Sequence, residues 1–133
     1  KRECEASRIK GTVIVGNLTK NLSRYEFECA CQCGCDTLDM KTAEIIQEVC
    51  NYFTCRVTIN SGHRCEKHNS KVGGGKKSQH LYGRAADCQF HNVPTDIVHK
   101  YLTVEYPDKY GFGLYETFNH IDSRTNGPAR WGE

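Results

Sequence analysis

The spacing of hydrophobic residues predicts two helices, one in each half of the chain. In the first, apolar residues recur at helical spacing from Ile45 to Phe53, and Asp39 stands where a helix cap is expected. In the second, Asn92 and Pro94 occupy the cap and first-turn positions. Its apolar side chains are Ile97, Val98, Tyr101 and Leu102.

Stretches with a period of two predict short strands around these helices. They are TVIV at 12–15, RVTIN at 56–60, AADCQF at 85–90, GFGLY at 111–115 and NHID at 119–122. Within AADCQF, Asp87 and Gln89 lie on one face and the apolar residues on the other. Residues 61–79 predict a long polar loop with three consecutive glycines. Because helices and strands occur in mixed order, without strict β-α-β alternation, the pattern predicts an α+β domain.

The length and composition indicate one globular domain. The chain has 133 residues, of which 38% are hydrophobic and 26% charged, so it can bury a core. We therefore expect a single domain over residues 1–133, with a cysteine-rich N-terminal part at about residues 1–60. No apolar run approaches the roughly 18 residues that cross a bilayer, so no membrane span is expected.

The charge is concentrated in one segment. The net charge of +2 is too small to indicate a nucleic-acid partner. Residues 61–84, however, contain six basic side chains and one acidic side chain, Glu66, which gives this segment a local charge of +5. Such a segment suits an anionic ligand, for instance a peptide with free carboxylates. A solvated lysine-rich loop is the alternative.

The nine cysteines are numerous for this length, and four of them alternate in the stretch CACQCGC at 29–35. Small secreted domains use such density for disulfides, and alternation at every second residue fits zinc-finger spacing poorly. The interpretation favoured here is disulfide bonding, with structural zinc as the alternative. His68, with Cys55 and Cys65, is one set that is able to hold such a zinc.

Two histidines and an aspartate form a candidate metal site. His80 ends the polar loop, Asp87 follows on a predicted strand, and His120 lies with Asp122 on one face of another strand. A catalytic zinc needs three protein ligands and one open position for water, and His80, Asp87 and His120 can supply such a set. The alternative is that these are scattered polar residues.

Motifs around these residues resemble those of the M15 family of zinc peptidases. They are SGHR, the loop from VGG to SQHLYGRAAD, GFGLY, HIDSR and ARW, together with NLSRYEFECACQCGC, which is similar to the family's N-terminal stretch. The family includes D-alanyl-D-alanine carboxypeptidases and the L-alanyl-D-glutamate endopeptidases of phage endolysins. Ser78, His80, Asp87 and His120 stand at the places of its zinc motif. The resemblance covers most of the chain from about residue 20.

The resemblance implies a fold, a cofactor and an activity. The fold is that of lysostaphin-type peptidases and the hedgehog domain, the DD-peptidase fold, with a small antiparallel sheet, flanking helices and zinc (Zn²⁺) on its open face. Zinc in such an enzyme polarises the scissile carbonyl and lowers the pKa of bound water. A carboxylate then has to accept the proton of that water.

The resemblance also implies roles for individual residues. Related enzymes place an acid three residues before the last histidine, and here that position is Thr117. Glu116 lies one residue further back, and the stretch YETFNHID is similar to the hedgehog stretch that carries its glutamate, so Glu116 is the favoured general base. Asp122 is the second candidate, whose other role is to orient a ligand. Arg64 matches the family arginine that holds a substrate carboxylate, a task suited to a guanidinium, and Ser78 is assigned with it to substrate binding.

The leading hypothesis is a zinc peptidase that cuts the stem peptides of peptidoglycan, as a carboxypeptidase or an endopeptidase. We expect it to act as a monomer outside the cell, in the cell wall or in the periplasm, after secretion or delivery by a phage. One alternative is a zinc-containing binding module of the hedgehog type without catalysis, which the misfit at Thr117 keeps open. The other is a cysteine-rich structural domain without a site.

Overall fold

The computed structural model describes residues 17–31, 33, 38–75 and 78–133. In these parts of the chain there are three α-helices and seven strands. In chain order they are β1 (Asn17–Thr19), β2 (Leu22–Ser23), α1 (Met40–Phe53), β3 (Val57–Ser61), α2 (Glu66–Lys71), β4 (Ala85–Phe90), α3 (Thr95–Glu105), β5 (Gly111–Leu114), β6 (Asn119–Asp122) and β7 (Ala129–Trp131). Two 3-10 turns, Arg24–Phe27 and Gln79–Tyr82, lie between them.

Five of the strands form one sheet in the order β3-β4-β6-β5-β7, and β1 pairs with β2 separately. Neighbours in the large sheet are antiparallel except β5 and β7, which run parallel. The predicted α+β class is confirmed, and the sheet is antiparallel in four strands and mixed in the fifth. β4 and β5 occupy both edges of β6, so β7 cannot pair with β6 and pairs with the outer edge of β5 instead. Because the chain reverses once between β5 and β6 and again between β6 and β7, β7 runs parallel to β5.

The helices α1 and α3 pack on one face of this sheet and enclose the core. Ile45, Ile46 and Val49 of α1 are buried, as their spacing predicts, and so are Val98 and Leu102 of α3. The sheet side chains that join this core are Val57, Ala86, Cys88, Phe90, Phe112 and Ile121. Because side chains alternate along a strand, the residues between them point to the opposite face, where the candidate site lies.

The helix ends partly follow the sequence prediction. The carboxylate of Asp39 accepts a hydrogen bond from the backbone of Lys41 at 3.0 Å, as a cap residue does. The cap position of α3 belongs to Pro94 instead of Asn92, and Asn92 adopts a left-handed backbone with φ of 65° in the preceding turn. Asparagine tolerates that conformation better than most residues.

Two further sequence predictions have different outcomes. The polar loop at 61–79 contains the short helix α2, which the pattern missed because six residues are too few to show helical periodicity. The strand predicted at 12–15 lies outside the described residues. Among the helices of the described part, none is long and apolar enough to cross a membrane.

Candidate metal centre

Strand register brings the three predicted metal ligands together. In the antiparallel pairing of β4 with β6, Asp87 lies directly opposite His120. The 3-10 turn before β4 carries His80 to the same place. One ligand atom from each of the three side chains lies within 4.8 Å of the others, a spacing at which they are able to hold a metal ion. His80 is 3% and His120 7% exposed.

His80 is held at both its backbone and its ring. The hydroxyl of Ser78 accepts a hydrogen bond from the backbone N–H of His80 at 3.2 Å. The ring Nδ1 donates to the carbonyl oxygen of Gly62 at 2.7 Å, which fixes the tautomer and leaves a lone pair on Nε2 in the neutral ring. That Nε2 lies 3.3 Å from Oδ2 of Asp87.

His120 lies between two carboxylates. Its Nδ1 is 3.0 Å from Oδ1 of Asp87 and its Nε2 is 2.7 Å from Oδ2 of Asp122. Burial disfavours the imidazolium form, but the hydrogen bonds to Asp122 and Asp87 outweigh burial and raise the pKa of His120. Burial alone would raise the pKa of Asp87 as well, yet hydrogen bonds from His120 and His80 hold it well below its usual range. Without metal, the two carboxylates therefore favour the protonated form of the His120 ring.

Asp122 is enclosed and fully engaged. Its side chain is 0% exposed, and the guanidinium of Arg124 donates to both of its carboxylate oxygens at 2.8 and 2.7 Å. Burial opposes ionisation, but Arg124 and His120 outweigh it and hold the pKa of Asp122 well below its usual range. A Cβ at Gly111 would lie 2.5 Å from the Asp122 carboxylate, so the lack of a side chain there leaves room for this ion pair. The contacts suit a group that orients His120 better than a base that must reach water.

The donor set fits zinc in type and spacing. Two imidazole nitrogens and a carboxylate oxygen are ligands that catalytic zinc sites use. With zinc bonds of about 2.0–2.1 Å, neighbouring donors of a tetrahedron are about 3.3 Å apart. Nδ1 of His120 is 3.0 Å from Oδ1 of Asp87 and Nε2 of His80 is 3.3 Å from Oδ2, so each imidazole has one carboxylate oxygen at about that separation. Each histidine also has its other ring nitrogen bound to an oxygen, as metal-ligating histidines usually do.

Arg64 reaches the edge of this site from the segment after β3. Its Nη2 atom is 3.6 Å from Oδ2 of Asp87. Its Nε donates to the hydroxyl of Ser61 at 3.3 Å, and Nη1 donates to the side-chain oxygen of Asn69 at 3.2 Å. Asn69 is 4% exposed and also donates to the carbonyl of Gly75 at 2.9 Å. Asn69 thus positions the guanidinium, a role that the sequence analysis did not assign to it.

The structure does not bring every predicted site residue into side-chain contact with the set of His80, Asp87 and His120. Ser78, assigned to substrate binding, uses its hydroxyl to accept the backbone N–H of His80. Glu116 lies in the exposed turn between β5 and β6 and makes no hydrogen bond or ion pair with another described residue. The roles assigned to Ser78 and Glu116 remain predictions.

Trp131 is a site neighbour that the sequence interpretation missed. Its ring centroid is 4.9 Å from that of His120, and its indole N–H donates to the hydroxyl of Tyr115 at 2.9 Å. A Cβ at Gly113 would lie only 2.4 Å from the indole, so the glycine makes room for it. The signal was present in GFG, whose two glycines fall opposite Asp122 and His120 in the sheet register.

The disulfides expected from the cysteine count are not found among the described cysteines, none of which is in a disulfide bond. The sulfur atoms of Cys29 and Cys31, for example, are 3.4 Å apart, well beyond the roughly 2.05 Å of an S–S bond. The alternative set of His68, Cys55 and Cys65 is not assembled either, because Cys65 groups with other cysteines.

Comparison with known proteins gives one family. The family model described as Peptidase M15 matches residues 20–122, which include β2 to β6 and all three predicted metal ligands. The search of curated proteins found no significant match.

Proposed function

The chain belongs to the peptidase M15 family, and on that premise we propose that it is a zinc-dependent peptidase whose substrate is the stem peptide of peptidoglycan. The observation that carries the proposal is the donor set of His80, Asp87 and His120. Two of these ligands are aligned by the β4–β6 register, and both imidazole rings are fixed by hydrogen bonds to oxygen. Such outer hydrogen bonds are typical of ligands in functional metal sites.

Arg64 binds the substrate in this proposal. Its guanidinium lies at the edge of the ligand set, half-buried and held by Ser61 and Asn69. A guanidinium in a fixed orientation can bind a carboxylate through two parallel hydrogen bonds. Stem peptides carry free carboxylates, and the local charge of +5 over residues 61–84 would attract them. Arg64 then sets which peptide bond lies over the ligands.

Two acids divide the remaining tasks. Zinc, when bound, supplies a Lewis acid for the scissile carbonyl and lowers the pKa of a water molecule that it binds. Asp122 keeps His120 in one orientation by accepting a hydrogen bond from its Nε2. Both oxygens of Asp122 are already bonded to Arg124 and His120, so we assign it this orienting role and not that of the base. Glu116 acts as general base, since it is exposed on the turn that leads into β6 and has no competing partner among the described residues.

The site of action follows from the substrate. Peptidoglycan lies outside the cytoplasmic membrane, so we propose that the protein works outside the cell, in the cell wall or in the periplasm, after secretion or release by a phage. A non-catalytic, zinc-containing binding module remains the second candidate. One observation favours it: Thr117 occupies the position of the family acid, and Glu116 has no contact with the ligand set.

A digest of purified peptidoglycan, with mass spectrometry of the products, tests the proposal. The wild-type protein should release stem-peptide fragments from one type of bond, which identifies it as a carboxypeptidase or an endopeptidase. Glu116→Gln should slow the release by a factor on the order of 10²–10⁴ with zinc content unchanged, because only the proton acceptor is lost. Glu105→Gln, an exposed acid at the end of α3, is the matched control and should cut at the wild-type rate.

Two results would contradict the assignments. A wild-type protein that carries zinc, binds stem peptides and releases no product would be the binding module. A Glu116→Gln variant as fast as wild type, beside an inactive Asp122→Asn variant that keeps its zinc, would make Asp122 the base.

A further inference from the structure

Four cysteines meet next to the segment that carries Arg64. Three of them follow the 3-10 turn Arg24–Phe27, and the fourth lies immediately before α2, about thirty residues later along the chain. Their sulfur atoms all lie within 4.8 Å of one another, a second group able to hold a metal ion. The members of this four-cysteine cluster are Cys29, Cys31, Cys33 and Cys65.

The sulfur spacing in the cluster corresponds to tetrahedral coordination. The Sγ atoms of Cys29, Cys31 and Cys65 are separated by 3.4, 3.6 and 3.8 Å. Zinc–sulfur bonds of about 2.3 Å place neighbouring sulfurs of a tetrahedron about 3.8 Å apart. A disulfide requires about 2.05 Å, so the same atoms would have to move by more than an ångström to form one. The arrangement therefore suits four thiolates around one ion.

Backbone hydrogen bonds point at these sulfurs. The N–H of Cys65 donates to Sγ of Cys29, and the N–H of His68 donates to Sγ of Cys65, both at 3.4 Å. A sulfur atom that accepts backbone N–H groups is stabilised in its negatively charged form, which is the form that binds metal. Cys29 and Cys65 are also buried, at 2% and 3% exposure, while Cys31 and Cys33 lie at the surface. The cluster has a closed inner side and an outer side through which an ion can enter.

The cluster adds a further link between two parts of the chain that already meet at Phe27 and Gly62. Gly62 approaches the backbone of Phe27 so closely that a Cβ would lie 2.6 Å from its Cα, and the N–H of His63 donates to the Phe27 carbonyl at 2.9 Å. Beyond these contacts, the cysteines of the N-terminal segment reach across to Cys65. Since Cys65 directly follows Arg64, whatever fixes Cys65 also limits the movement of the guanidinium.

We propose that the four-cysteine cluster binds a second zinc ion, with a structural role, which fastens the N-terminal segment to the segment that carries Arg64. The site has no open position for water when all four thiolates are bound, so it takes no part in hydrolysis. It does not depend on the proposed function, because its ligands share no residue with the set of His80, Asp87 and His120. Soft thiolate ligands in a tetrahedral arrangement favour zinc over calcium and magnesium.

Metal counting on the full-length chain separates the two sites. After dialysis against metal-free buffer, the wild-type protein should contain two zinc ions, and the His80→Ala, His120→Ala double variant should retain one. Adding Cys31→Ser and Cys33→Ser to that variant should remove the last ion. These two cysteines are exposed, so their replacement costs no core packing. Cys55→Ser, in a half-buried thiol outside the cluster, is the matched control and should keep the ion.

Cobalt substitution gives an independent reading of the ligands without any cysteine variant. The His80→Ala, His120→Ala variant loaded with Co²⁺ should show strong sulfur-to-cobalt charge-transfer absorption in the near ultraviolet. A mercurial reagent that blocks thiols should release its zinc to an indicator dye. The proposal is overturned if that variant holds no metal, if its cobalt spectrum lacks the thiolate band, or if the ion that it carries from cells is iron. It is also overturned if the variant that combines His80→Ala and His120→Ala with Cys31→Ser and Cys33→Ser keeps a zinc ion.

Discussion

His120 is the residue on which most contacts of the candidate site converge. One ring nitrogen faces Asp87, the other faces Asp122, and the ring packs against the indole of Trp131. In the proposed function, the same imidazole binds metal through Nδ1 while Nε2 keeps its hydrogen bond to Asp122. Small changes in its neighbours should therefore appear first as changes in metal affinity.

The first prediction concerns Asp122→Asn. An amide can still accept a hydrogen bond from His120, but it lacks the charge that strengthens the imidazole as a ligand, and it leaves Arg124 without its anionic partner. We expect zinc affinity to fall about 10–100-fold, as measured by competition with a chromophoric chelator. Asp108→Asn, an exposed position before β5, should bind zinc like wild type. Unchanged affinity in Asp122→Asn would mean that its carboxylate does not support His120.

The raised pKa of His120 leads to a second prediction, on pH. Zinc requires the neutral ring, and a proton competes for Nδ1 at every pH below the pKa of the metal-free protein. Because that pKa is raised, the loss of affinity should begin at a pH above the ordinary histidine value of about 6.5. Below that onset, apparent affinity should fall about tenfold for each pH unit. Chelator competition over a pH series measures the onset, and an onset at pH 6 or lower would contradict the prediction.

At the scale of elements, the site depends on β5, which carries glycine at the positions where the neighbouring strand β6 carries a large side chain. Gly111 and Gly113 of β5 lie across from Asp122 and His120 of β6. The space that they leave is filled by the Asp122–Arg124 ion pair and by the indole of Trp131 from β7. β5 thus provides the space that these side chains occupy, and it contributes no functional side chain of its own.

The third prediction concerns the space beside Gly113. Gly113→Ala would place a Cβ 2.4 Å from the indole of Trp131, so the ring and its strand have to shift. We expect a loss of about 1–3 kcal/mol in the free energy of unfolding, measured by denaturant titration, together with weaker zinc binding. Gly75→Ala is the control, since a Cβ there meets no atom within 4 Å and its φ is not positive. Equal stability of the two variants would show that the indole moves freely.

The elements that the sequence predicted best are those in which one face is buried. α1 and β4 follow their apolar spacing closely, because the core selects the same residues that create the pattern. α2 was missed because its six residues bury only Asn69, and β7 was missed because its three residues are all half-buried. Neither element has a periodic apolar pattern, and both are stabilised by contacts with residues distant in sequence.

The candidate ligands were predictable from motif resemblance, and their surroundings were not. Spacing alone left His80, Asp87 and His120 as three polar residues among many. The hydrogen bond from His80 to Gly62, the burial of Asp122 and the grouping of Cys65 with Cys29 all depend on contacts across the fold. For the same reason the alternating cysteines suggested disulfides, since a one-dimensional spacing contains no sulfur–sulfur distance.

For the whole molecule, the fourth prediction contrasts reduction with metal removal. With zinc present, the phosphine reductant TCEP should leave the melting temperature unchanged, because the described cysteines form no disulfide. A chelator should lower it, since zinc binds the folded chain and adds about 2.7 kcal/mol when free zinc is 100 times its Kd. Differential scanning calorimetry measures both. A drop in melting temperature on reduction alone would reveal a disulfide that involves Cys4 or Cys35, which lie outside the described residues.

The 3.6 Å contact between Arg64 and Asp87 has a consequence for the order in which the protein binds the metal ion and the substrate. In the metal-free chain the guanidinium faces the Asp87 carboxylate, and a substrate carboxylate has to compete with it. Once Asp87 shares its charge with a cation, its hold on Arg64 weakens and the guanidinium is available to the peptide. By thermodynamic reciprocity, a bound peptide then tightens the cation by the same factor. The two ligands should therefore show positive heterotropic cooperativity, and in surroundings poor in zinc the protein would lose substrate affinity together with the cofactor.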